Sequence, residues 1–151
     1  MGLVFPYRPG RSPRPVISLG GRTVRPRPLV DVTLLGPSGS KVVMALLDTG
    51  ADDSVFPERV AMSIGIDPST VPHHTMAGVG SPPQVIAYAP VTLRLTDGNE
   101  FREWPAIVGF TAARMTHPLL GFAGCLQFFD ALFCGEREEV ELAVNNLYPG
   151  I

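Results

Sequence analysis

A chain with only two cysteines, Cys125 and Cys134, has no disulfide framework to hold it together, and the pair reads as two core thiols. Long apolar runs are missing too. No stretch approaches the roughly 18 residues of a membrane span, and no apolar leader segment of roughly 7–15 residues follows the start. Pro6 stands where a myristoylation signal needs Ser or Thr. The expectation is a soluble, cytoplasmic protein with no membrane partner. Neither sign of charge dominates: 12 basic and 14 acidic residues leave a net charge of −2, which gives no global reason to expect nucleic acid as a partner. The adjacent His73 and His74 have no cysteine or acid at ligand spacing beside them, so no metal site is expected. The single tryptophan, Trp104, precedes Pro105 in a strand-like run and reads as a packing anchor.

What the chain does have is turn chemistry. Sixteen glycines and 16 prolines in 151 residues argue against long helices, and with 45% apolar residues they point to one all-β domain. The first 27 residues differ from the rest. Arg8, Arg11, Arg14, Arg22, Arg25 and Arg27 all precede the first acid, Asp31, and are interleaved with prolines. That composition predicts a flexible, basic, Pro-rich arm over residues 1–27 and a folded domain over 28–151.

Within that domain, Leu29 to Leu35 and Lys41 to Leu47 flank Gly36-Pro37-Ser38-Gly39, a hairpin signature. The second run is apolar on both faces, as a strand buried on both sides would be, and leads directly into Asp48. Glu58 to Ile64 is long enough for one or two helical turns between Pro57 and Gly65. Val85 to Leu95 alternates, Asp97-Gly98-Asn99 turns the chain, and Phe101 to Phe110 returns. Pro118 to Gly121 leads into an apolar stretch, Phe122 to Phe129, that suits a short helix; Asp130 to Cys134 and Glu139 to Val144 read as a last hairpin.

The chemistry gathers at Asp48-Thr49-Gly50. A carboxylate at the end of an apolar strand is costly to ionise unless something shares its charge, so a plain turn is a poor explanation for this placement. The segment Ala45-Leu46-Leu47-Asp48-Thr49-Gly50-Ala51-Asp52-Asp53 resembles the active-site loop of retroviral aspartic proteases almost residue for residue. Ala77-Gly78-Val79-Gly80-Ser81 is similar to that family's glycine-rich flap tip, and Leu119-Leu120-Gly121 to its later apolar-apolar-Gly motif. The three motifs follow the family's order across about residues 28–144.

The resemblance implies a retropepsin-like closed β-barrel or sandwich with one or two short helices and a flap hairpin. It also implies an aspartic endopeptidase that needs neither metal nor cofactor. Since the chain has one Asp-Thr-Gly, the second carboxylate would come from another copy in a homodimer. Carried over by motif, Asp48 is the catalytic carboxylate, Thr49 braces the loops across the dimer axis and Gly50 leaves room for substrate backbone. Ala51, Asp52 and Asp53 face the peptide substrate, as do Ala77, Gly78, Val79 and Gly80 from the flap, while Leu120 and Gly121 support the loop from behind.

Two positions modify the expectation. Ala51 carries no hydroxyl to stabilise a charged carboxylate, which favours activity at weakly acidic to near-neutral pH over the strongly acidic range. Phe122 stands where the family usually has an arginine that pairs with the acid matching Asp52. The competing reading is a non-catalytic retropepsin-fold dimerisation or peptide-binding module, although such a module has little use for the loop, flap tip and Leu-Leu-Gly together. A nucleic-acid-binding role rests on the basic arm alone, without a recognition motif.

Overall fold

The structure, a computed structural model, describes residues 2–77, 79–80 and 82–151. In chain order its elements are β1 (Leu3–Pro6), β2 (Arg8–Val16), β3 (Arg22–Arg27), β4 (Leu29–Gly36), β5 (Gly39–Leu47), β6 (Val55–Pro57), α1 (Glu58–Ser63), β7 (His73–Met76), β8 (Gln84–Thr96), β9 (Phe101–Thr111), β10 (Leu119–Leu120), β11 (Phe129–Cys134) and β12 (Glu139–Val144). The all-β expectation holds, with one short α-helix placed between Pro57 and Gly65 as the sequence suggests.

A seven-stranded sheet runs β4-β5-β10-β6-β9-β8-β7, and an additional β4–β8 pairing bends six of its strands into a barrel-like ring. Only β7 hangs outside the ring, attached to β8. The alternation of β8 explains its place: Ala89, Val91, Leu93 and Leu95 face the core while Pro90, Arg94 and Thr96 face solvent. Burying each of the valine and leucine side chains contributes on the order of 1.5–3 kcal/mol. Trp104 is fully buried as the expected anchor. Its indole N–H donates to the Gly124 carbonyl at 2.8 Å, and its ring meets Phe129 edge-on at 5.1 Å.

Three expectations need correction. First, residues 1–27 are not an arm without partners. Strand β1 pairs with β12 and puts Leu3 and Phe5 into the core, while β2 and β3 form a separate two-stranded ribbon. Asp97 holds β1 from the other side, accepting N–H bonds from Glu100, Asn99 and Val4 that keep its carboxyl below the usual range. The ribbon is tied down by Arg8 to Asp31 at 3.0 Å and Arg22 to Glu138 at 3.3 Å, surface pairs worth at most about 1 kcal/mol each.

Second, β5 is not buried on both faces. Ala45 and Leu47 are buried near Asp48, whereas Val42 is 58% and Met44 40% exposed on the open side of the hairpin. Third, Phe122 to Phe129 yields only a 3-10 turn at Leu126–Phe128. Gly124 at φ 86° and Cys125 at φ −140°, ψ −79°, both outside the helical region, stop a helix from propagating. Among the described residues no helix is long and apolar enough to cross a membrane.

Candidate active site

Strand β5 ends at Leu47 and the chain turns out of the barrel at Asp48. The turn is fixed from behind by β10, which inserts parallel to β5 and also pairs with β6. The Asp48 N–H donates to the Leu120 carbonyl at 3.0 Å, and the Phe122 and Ala123 N–H groups donate to Ala51 and Asp52 at 2.9 and 2.8 Å. Inside the turn, the Gly50 N–H donates to Asp48 Oδ1 at 2.9 Å, fixing the carboxylate's orientation at the lip of the loop. Asp48 is half-buried; Thr49 and Gly50 are exposed.

Gly121 has no room for a side chain. A Cβ there would overlap the Asp53 carbonyl oxygen and come within 2.6 Å of that of Ala51. Leu120 is fully buried. Both residues therefore sit behind the Asp48 loop.

Ser54 went unnoticed in the sequence. It is fully buried, donates to the Ala123 carbonyl at 2.9 Å and accepts from the Gly121 N–H at 3.1 Å, so one hydroxyl joins the two halves of the site. Replacing it with alanine leaves a buried N–H and a half-buried carbonyl without this partner. The expected loss is about 1–3 kcal/mol, measured as a lower urea midpoint at unchanged slope.

In front of the loop lies a cleft of about 440 Å³. Gly50, Ala51, Asp52 and Asp53 form one wall, Met76, Ala77 and Val79 from the β7–β8 hairpin another, and Val55, Ile86 and Leu119 contribute apolar surface. Val79 and Gly80 stand at the exposed tip of that hairpin, Gly80 at φ 72°. Gly78 and Ser81 lie outside the described residues. Asp52 is exposed and has no ion-pair partner among the described residues, and Phe122 is 60% exposed, so the arginine brace is not reproduced within one chain.

Asp53 is held differently. The Tyr88 hydroxyl donates to its Oδ2 at 2.7 Å. Burial pushes the Tyr88 hydroxyl up to about 12, with the bond to Asp53 and the nearby charge adding to it. Burial alone takes the Cys125 thiol up to about 12.

Both groups fold in their neutral forms, with values raised above those of the unfolded chain, 10.0 for Tyr88 and 9.0 for Cys125. Their contribution is therefore complete below about pH 9 and is lost as pH rises toward about 12. Alkaline unfolding followed by Trp104 fluorescence should set in across that window, and Cys125→Ala should make the decline shallower relative to its own neutral-pH stability.

The strand-built ring thus carries the Asp48-Thr49-Gly50 turn at its lip, with the β7–β8 hairpin lining the adjoining cleft. The model of the aspartyl protease family matches residues 30–123, more than half of the chain, and the chain belongs to that family. The matched span runs from β4 through the Asp48 turn and the β7–β8 hairpin to Ala123. Among solved structures, the retroviral protease-like domain of Ddi1 from Leishmania major is similar at 16% identity and a TM-score of 0.49, over 83% of this chain and 94% of that one. No curated protein matches the chain.

Proposed function

We propose that the chain is a retroviral-type aspartic endopeptidase whose catalytic dyad is two copies of Asp48, one from each subunit of a homodimer. The observation that carries this is the turn itself: Asp48 is pinned by the Leu120 carbonyl behind it and the Gly50 N–H in front, beside an open cleft. Such fixed placement is what a carboxylate needs in order to act on a positioned water.

In this reading two Asp48 carboxylates a few ångström apart share one proton. The ionised member takes a proton from water as it attacks the scissile carbonyl, and the protonated member hydrogen-bonds the carbonyl oxygen as charge develops there. Collapse of the tetrahedral intermediate returns a proton to the leaving amine, so neither a covalent intermediate nor a cofactor is required. The β7–β8 hairpin serves as a flap, with Ala77, Val79 and Gly80 over the peptide and Ala51, Asp52 and Asp53 beneath it. Thr49 braces the paired loops across the twofold axis, and peptide or protein is the substrate.

The test is to incubate the purified chain with an unstructured protein across a pH series and identify the new termini. Internal cleavage is expected, strongest at weakly acidic to near-neutral pH because Ala51 supplies no hydroxyl. An optimum in the strongly acidic range would contradict that part of the reading, and absence of internal cleavage at any pH would contradict the whole of it.

A further inference from the structure

Asp53 and Tyr88 come from different parts of the site. Asp53 closes the catalytic turn, where it also bridges to Ala123. Tyr88 lies in β8, in the stem of the hairpin that reaches over the cleft, with its N–H donating to the Pro72 carbonyl at 2.9 Å. The 2.7 Å bond between them crosses 35 residues of sequence and lies between two cavities of about 370 and 440 Å³, both of which Asp53 and Met76 line.

The tyrosine also gathers the other strand of the hairpin. Its oxygen lies 3.3 Å from the Met76 sulfur, and the His74 ring meets it edge-on at 5.6 Å, both from β7. A hydroxyl has one proton to give, and the carboxylate is the stronger acceptor, so the hydrogen goes to Asp53 while the sulfur packs against the oxygen. Among the described residues, strand β7 is the free end of the sheet and pairs only with β8. This cluster is therefore the side-chain link between the outer strand of the hairpin and the turn that carries Asp48.

We propose that Tyr88 is a positioning residue, whose hydroxyl latches the β7–β8 hairpin to Asp53 and so sets the height of the flap over the cleft. The role in catalysis rests on the protease reading above; the latch itself does not. With the hydroxyl in place, one Asp53 oxygen is occupied, the carboxylate keeps one orientation, and Met76 stays at the cleft wall. Without it, the outer strand opens more often and a bound peptide must close it again.

The test uses the full chain with Tyr88→Phe, Asp53→Ala, Asp53→Asn and the Tyr88→Phe/Asp53→Ala double variant. Phenylalanine keeps the ring and its edge-on contact with His74 and removes only the hydroxyl. Asparagine retains an oxygen that accepts from Tyr88.

Amide hydrogen exchange over His73–Met76 should quicken roughly tenfold in Tyr88→Phe and in Asp53→Ala, by no more in the double variant, and much less in Asp53→Asn. Trp104 fluorescence confirms that each variant remains folded. On a peptide that the wild type cleaves, Tyr88→Phe should raise KM severalfold with kcat changed less.

Unchanged exchange in Tyr88→Phe, or additive effects in the double variant, would overturn the latch. A raised exchange rate in a wild-type background that cleaves nothing would uphold the latch and sink the protease reading, so the two failures are distinguishable.

Discussion

Asp48→Asn is expected to remove internal cleavage of an unstructured protein, lowering kcat by roughly a thousandfold or more, equivalent to about 4 kcal/mol of barrier. The substitution is mild in structure. Asparagine keeps an oxygen at the position of Oδ1, so the Gly50 N–H still has its acceptor, and the backbone bond to Leu120 does not involve the side chain. What disappears is the ionisable group: two amides cannot share a proton or take one from water. Circular dichroism and urea unfolding should therefore match the wild type within about 0.5 kcal/mol while activity is lost. Equal cleavage by both proteins would remove Asp48 from the mechanism.

The largest structural effect is expected at Gly121. A methyl group there would meet the carbonyl oxygens of Asp53 and Ala51, which are backbone atoms and cannot swing away as a side chain can. Relief requires β10 or the Asp48 turn to shift, and either movement strains the Gly121 N–H bond to Ser54 and the neighbouring Phe122 and Ala123 bonds. Gly121→Ala should cost about 3 kcal/mol or more in urea unfolding and should abolish activity as the turn moves. Gly135→Ala is the control: a Cβ at that turn meets nothing within 4 Å, so stability should be little changed. Comparable midpoints for the two variants would show that β10 does not hold the turn as described.

The parts of this fold legible in the sequence are those where local pattern and burial agree. The β4–β5 hairpin announces itself through Gly36-Pro37-Ser38-Gly39, and β8 through its alternation, because one face of each strand meets the core. The Asp48 turn is legible as a turn because Asp-Thr-Gly follows an apolar strand end, and its Asp48 carboxylate accepts the Gly50 N–H as turn aspartates do. Strand β1 is not, since its alternation spans only Leu3 to Phe5 and its partner β12 lies at the other end of the chain. The β2–β3 ribbon escapes for another reason: Val16 is its one buried residue, so no apolar period marks it amid the arginines and prolines.

The open side of β5 marks a limit of a different kind. Val42 and Met44 are as apolar as Ala45 and Leu47, and composition alone does not say which of them finds a neighbour. Ser54 and Tyr88 were missed because both act through contacts that tertiary folding creates. Nothing in Asp53-Ser54-Val55 separates a buried hydroxyl from a solvated one, and Tyr88 reads as an ordinary strand residue until β8 is placed beside the Asp53 turn.

The central claim, that an active site needs an Asp48 from each of two chains, is tested most directly by mixing. Wild-type chain at fixed concentration is equilibrated with increasing Asp48→Asn chain, and cleavage is measured after exchange, with sedimentation on the same samples. If each site takes one carboxylate from each chain and subunits exchange at random, activity per wild-type chain falls to about half at equal amounts and continues toward zero in excess variant. Activity that stays constant as the inactive chain is added, with wild type sedimenting as an active monomer, would contradict the shared dyad.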